Sequence, residues 1–158
     1  MVEKIKKRES KLELVKKLTQ QLLTLLEVAV EFVVEEKEEI VNINFQTDNP
    51  GMLIGYHGET ISAFQRILSL MVYKKLDEWP RILVDVGDYR QRRQQTLEKM
   101  ALSVAQKVKF SGRHQALPPM SPVERRIIHI ALSDNPDVET ESEGEGRERR
   151  VVVKPQTA

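Results

Sequence analysis

Gly51-Met52-Leu53-Ile54-Gly55-Tyr56-His57-Gly58-Glu59-Thr60 is the stretch on which the reading of this chain turns. An apolar run leads into two glycines that flank an aromatic and an imidazole residue, and a long helical pattern follows. Glycine has no Cβ, so a turn over 55–58 lets backbone N–H groups approach a phosphodiester closely. A helix starting near Glu59 adds the positive end of its dipole at the same place. The expectation is a contact with single-stranded nucleic acid, and the sequence on either side has to support it.

Upstream, residues 10–26 read as an amphipathic helix. Leu12, Val15, Leu18 and Leu22 recur at three- and four-residue steps among Lys16, Lys17, Gln20 and Gln21. Ser10 and Glu13 fit a capping box at its start. The period then drops to two. Val28, Val30, Phe32 and Val34 alternate with Ala29, Glu31, Val33 and Glu35; after a turn at Glu36-Lys37-Glu38, Val41, Ile43 and Phe45 alternate with Asn42, Asn44 and Gln46. This predicts a hairpin whose strands each bury one face. Asn49 and Pro50 suit the cap and first position of a short helix that runs through Ile54 into the glycine turn. A longer helix over 59–76 carries Ile61, Phe64, Leu68 and Met71 on one stripe, Asp77-Glu78-Trp79-Pro80 breaks it, and Ile82, Val84 and Val86 alternate as a third strand.

A second unit follows with no evident linker. Asp88 is placed to cap a helix reaching Phe110, buried through Leu97, Ala101, Val104, Ala105 and Val108, and Ser111-Gly112 stops it. Residues 115–120 read as short and extended. Ser121-Pro122-Val123-Glu124 has Ser at the cap, Pro at the first position and Glu at the third, a strong helix start, and this helix runs to Leu132. Residues 138–142 and 150–153 bracket Gly144-Glu145-Gly146 as a hairpin.

Composition narrows the function classes. Apolar residues at 40% can build a core, but no apolar run approaches the ~20 residues of a spanning helix. The absence of cysteine excludes thiolate catalysis, disulfides and zinc-thiolate sites. Together with a charged N-terminus lacking a signal-peptide segment, it points to the cytoplasm and to no direct membrane insertion. His57, His114 and His129 lie too far apart in sequence for a dense metal cluster, and no cofactor motif occurs. The net charge of +1 hides a segregation. Between Arg90 and Arg126 there are nine Lys or Arg against two Glu, whereas between Asp134 and Glu148 seven acids face Arg147 alone. A local basic excess of that kind favours nucleic acid.

Within the basic segment, Arg125-Arg126-Ile127-Ile128-His129 places Arg125 and His129 four residues apart, on one face of a helix. Arg offers a planar fork for phosphate, and His a donor or an acceptor. A nuclease would need an acid/base pair or a metal cluster at the phosphate. Glu124 beside His129, or Glu59 beside His57, imitates one without anything else converging, so no catalytic residue is assigned and no enzyme is expected.

Residues 10–87, with Leu53-Ile54-Gly55-Tyr56-His57-Gly58 as the loop, resemble a type II KH domain. That resemblance implies a loop clamping about four nucleotides and an apolar groove, here beside Ile54 and Ile61, that receives bases. KH loops commonly carry Lys or Arg between the glycines. Tyr56 and His57 stand there instead, and since an imidazole is largely uncharged at neutral pH the phosphate attraction is weaker; Tyr56 offers a stacking surface worth ~1–3 kcal/mol per base. Residues 88–155, through Leu117-Pro-Pro-Met-Ser-Pro-Val-Glu-Arg-Arg-Ile-Ile-His129, Ser142-Glu-Gly-Glu-Gly146 and Arg149-Arg150-Val151, resemble the small domain named for its Arg-x-x-x-His motif, the R-three-H domain.

KH followed by R-three-H is similar to the Jag (SpoIIIJ-associated) family of bacterial RNA-binding proteins. The implied fold is α+β: a helix-strand-strand-helix-helix-strand KH unit, with a three-stranded sheet and helices on one face, then a small α/β R-three-H unit. The implied function is low-specificity binding of single-stranded RNA, or of single-stranded DNA through the same contacts, at Gly55, Tyr56, His57, Gly58, Arg125, Arg126 and His129. Arg90, Arg92 and Arg93 would support the second group. A post-transcriptional regulator or RNA chaperone linked to cell elongation, division or sporulation is implied, with a small KH-protein partner or a second copy as its protein contact. Larger members carry an additional N-terminal domain and a long charged linker, which these 158 residues do not include. The alternative is a dimerising scaffold with incidental RNA binding, which an exposed apolar strip on the 10–26 helix would favour.

Overall fold

In the computed structural model, which describes residues 2–156, the period-two stretch becomes a hairpin. Strands β1 (Glu31–Lys37) and β2 (Ile40–Gln46) pair antiparallel with Lys37 opposite Ile40. The turn lies at Glu38 and Glu39, slightly later than composition suggests. Both have positive φ, 52° and 65°, which a two-residue hairpin turn needs to match the strand twist. Helix α1 (Val2–Leu25) passes through Ser10. That residue is therefore inside the helix and does not cap it, a correction to the capping-box reading.

Strand β3 (Ile82–Val86) joins β2 in parallel, giving the order β1-β2-β3. Parallel neighbours require a crossover. Here it is made by α2 (Pro50–Ile54), a 3-10 turn at Tyr56–Gly58 and α3 (Glu59–Leu76). The glycine turn is thus the corner of the crossover. Helices α1 and α3 bury Val15, Leu18, Leu22, Leu23, Ile61, Phe64, Leu68 and Val72 against Val41, Ile43, Phe45, Ile82, Val84 and Val86. Phe45 meets Phe64 edge to face at 5.1 Å, a geometry favoured by the ring quadrupoles. The Val84 amide donates to Gln65 Oε1 at 3.1 Å, tying α3 to β3.

The first unit ends at Tyr89 and the second begins at Arg90. Helix α4 (Tyr89–Ser111) buries Leu97, Ala101, Ala105 and Val108. Next come β4 (Gln115–Ala116), α5 (Pro122–Leu132), β5 (Val138–Glu143) and β6 (Arg150–Pro155). Strand β6 is central in the order β4-β6-β5 and antiparallel to both neighbours. Its Val151 and Val153 pack with Leu117, Ile128, Leu132 and Val138. The extended segment after α4 therefore contributes a short edge strand, which the sequence pattern does not separate from a loop. The α5 start is a capping box: the Glu124 amide donates to Ser121 Oγ at 3.3 Å, and the Ser121 amide to Glu124 Oε2 at 3.0 Å. With two three-stranded sheets covered by helices, the architecture is α+β as expected.

Candidate nucleic-acid interface

In the first unit the turn is built from backbone. Gly55 has φ 70° and ψ −170°, a region open to glycine only. A Cβ there would run into Thr60 Oγ1, Cβ and N. Gly58 is left-handed, φ 84° and ψ 16°, and caps α3, with its Cβ position 3.1 Å from Tyr89 Cε1. Between them His57 is also left-handed, at φ 50°. The turn's own bonds use the amide of Gly55 (to Gly51 O, 2.8 Å), of Gly58 (to Gly55 O, 3.5 Å) and of Glu59 (to Tyr56 O). The amides of Tyr56 and His57 take no part in these bonds. The two rings stack on each other at 4.1 Å and 13°, and Tyr56 is 71% exposed, so one ring face is open. The base groove needs a correction: Ile61 is 2% exposed and belongs to the core, leaving half-buried Ile54 and exposed Met52 at the rim.

In the second unit the site is built from side chains. Arg125 and His129 share the face of α5 that meets β5. His129 Nδ1 lies 2.7 Å from Thr140 Oγ1 and Nε2 lies 2.9 Å from Ser142 Oγ, while Arg125 Nη1 donates to the same Ser142 Oγ at 3.1 Å. One polarity lets every group act once: Arg125 donates to Ser142, the Ser142 hydroxyl donates to His129 Nε2, and His129 Nδ1–H donates to Thr140. That requires a neutral imidazole. Burial, and secondarily the Arg125 charge, hold the His129 pKa below its ordinary value, which agrees. His129 therefore has both ring nitrogens engaged by β5 and shares Ser142 with Arg125, where the sequence suggested two groups reaching one phosphate together. Among the described residues Arg125 Nε is buried without a hydrogen-bond partner.

Strand alternation explains how an acidic strand can border this site. Thr140 and Ser142 face α5, whereas Glu141 and Glu143 lie on the other face, where Lys154 Nζ meets them at 2.5 and 2.9 Å. Arg126 is exposed and unpaired among the described residues. Arg93 is not available as a supporting cation: its Nε donates to Glu124 Oε1 at 2.8 Å, and Glu124 is 6% exposed. Thr140 and Ser142 are site residues that the sequence reading misses. The period-two placement of two hydroxyls among Glu139, Glu141 and Glu143 is the signal that could have found them.

Residues 12–84 match the family described as KhpA/KhpB, KH domain, and residues 95–155 match the R-three-H domain family. The chain is 40% identical over 136 residues to the RNA-binding protein KhpB of Clostridium symbiosum, covering 85% of this chain and 61% of that protein. Against the protein of that name from Lactiplantibacillus plantarum it is 38% identical, with 81% and 40% covered. Against that from Bacillus subtilis strain 168 it is 31% identical, with 76% and 59% covered. The chain thus spans less than two thirds of the length of each of these relatives. Among the described residues no helix is long and apolar enough to cross a membrane.

Proposed function

The chain belongs to the KhpB (Jag) family, in which a KH domain is followed by an R-three-H domain, and on that premise we propose that it binds single-stranded RNA with low sequence specificity. The observation that carries the reading is the pairing of two different phosphate-compatible sites in one chain. A glycine turn leaves backbone amides beside an exposed aromatic ring, and an arginine is held in place by a neutral histidine and a serine. We take the modules as 10–87 and 88–155, with Gly55, Tyr56, His57 and Gly58 as the first contact. Arg125 and Arg126 form the second, and His129 acts by positioning Arg125. The chain acts in the cytoplasm as a binder, a post-transcriptional regulator or RNA chaperone, and not as an enzyme. The family resemblance extends the proposal to cell elongation, division or sporulation.

Because cations and helix-end amides supply the attraction, RNA affinity falls steeply as salt rises. Titrating labelled oligouridylate at low and high ionic strength checks this; affinity that does not change with salt sinks the mechanism.

A dimerising scaffold is the second reading. Residues 10–26 do not carry the expected strip, since among their described side chains only Leu25 and Leu26, at the end, are exposed large apolar ones. Helix α3 carries one instead, with Ile67, Leu70, Tyr73 and Leu76 exposed and Trp79 tilted against Tyr73 at 5.5 Å. Light scattering of the purified chain tests for a second copy there, and a small KH protein is the other candidate partner.

A further inference from the structure

Phe110 lies near the end of α4 and is 87% exposed. The other three phenylalanines, Phe32, Phe45 and Phe64, pack in or against the core of the first unit. Phe110 therefore contributes no comparable burial to the fold. It continues an outward stripe of α4 through Ser103 and Lys107, opposite the stripe of Leu97, Ala101, Ala105 and Val108. A shallow groove beside the ring is lined by Ser103, Gln106, Lys107, Ser111 and Gln115. No Asp or Glu occurs between Lys99 and Val123. Among the described residues Lys107 and Arg113 have no ion pair, while Lys109 is held by Asp137 at 2.8 Å.

We propose that Phe110 is a stacking platform for one base of single-stranded nucleic acid, with Lys107 and Arg113 facing the backbone and Gln106 and Gln115 offering amides to the base edge. The site stands apart from the Arg125 cluster. Lys109 fastens the end of α4 to Asp137, just before β5 begins, while Ser142 is near the other end of that strand. The charge and chemistry of the groove select the occupant. A protein-docking patch has an apolar core within a polar rim, whereas here a single flat ring sits among amides, hydroxyls and cations. That is the composition of a surface that stacks bases and tracks phosphates. The proposal rests on the RNA reading and adds a contact that neither domain motif contains.

The test uses the full chain with fluorescein-labelled oligouridylate. Phe110→Leu keeps the apolar volume and removes the ring face, and is expected to weaken binding roughly tenfold, while Phe110→Tyr stays near wild type. Phe110→Trp is expected to show indole fluorescence quenched by RNA beyond any change in wild type, whose one indole is Trp79. Wild-type binding that Phe110→Leu leaves unchanged, or Phe110→Trp fluorescence that RNA quenches no more than wild type, overturns this site and leaves the other two standing. A wild-type chain that does not bind the oligonucleotide overturns the RNA reading and this site with it. A Phe110→Leu variant that changes only the sedimentation of the chain overturns the base contact in favour of a protein one.

Discussion

The glycine turn and the Arg125 cluster, the two proposed contacts for RNA, are built by opposite means. In the turn nearly everything is backbone: two glycines and a left-handed His57 expose amides, and no cation stands between the glycines. In the cluster nearly everything is side chain: α5 supplies the Arg and the His, and β5 supplies the hydroxyls that fix them. The first is specified by stereochemistry, so changes of shape should damage it most. The second is specified by charge and hydrogen bonding, so changes of charge should damage it with little effect on the fold.

The largest effect is expected at Gly55. Gly55→Ala forces a Cβ onto Thr60 in a glycine-only conformation, and should lower stability by about 3 kcal/mol or more. Gly58→Asp sits in the commoner left-handed region with Tyr89 as its close neighbour. It should cost about 1–2 kcal/mol and also repel phosphate. Urea unfolding ranks the two variants. A Gly55→Ala chain as stable as wild type would show that the turn is not sterically dictated.

At Arg125 the effect moves from stability to affinity. Arg125→Ala should weaken oligouridylate binding, reduce the slope of log affinity against log salt by about 1, and leave the circular dichroism spectrum unchanged. A slope equal to wild type would remove Arg125 from the phosphate contact and reverse the ranking of the two regions.

How much of each region is legible in sequence differs for the same reason. Glycine conformation is written locally, so Gly55 and Gly58 are readable from their own neighbourhood. So is the Ser121–Glu124 capping box, whose partners are three residues apart. The network around His129 joins residues 11 and 13 positions away. Sequence spacing shows Arg125 and His129 on one face but not that β5 occupies that face. Arg93 misleads similarly, because Glu124 lies 31 residues downstream and is brought to it only by packing α5 against α4. Ile61 stays ambiguous between groove and core because helical periodicity marks an inward face without saying how deep it lies. Phe110 reads in sequence only as a helix end. Its exposure follows from its place on the face of α4 opposite Leu97, Ala101, Ala105 and Val108.

The smallest effect expected is also the one that separates a positioning histidine from a contacting one. His129 is held below the ordinary pKa of 6.5, first by burial and then by Arg125. The folded protein therefore binds that proton less readily than the unfolded chain. The contribution to stability is fully present above the ordinary histidine value. It is lost as pH falls through 6.5 toward the lower folded pKa. The useful quantity is the difference between wild type and His129→Gln, which isolates this one group. Gln keeps a hydrogen bond to one β5 hydroxyl, cannot take the proton, and should cost about 1 kcal/mol at neutral pH. Thermal melts across this window should show wild type losing stability on acidification faster than the variant, so that the gap between them narrows. RNA affinity should follow the same course, because a protonated His129 turns its Nε2 into a donor toward Ser142 and disturbs the oxygen that fixes Arg125. A histidine that touched phosphate directly would do the opposite and strengthen binding as it gained charge. Affinity that rises as pH falls below the ordinary histidine value in the wild type, and not in His129→Gln, would sink the positioning role and restore His129 as a phosphate ligand.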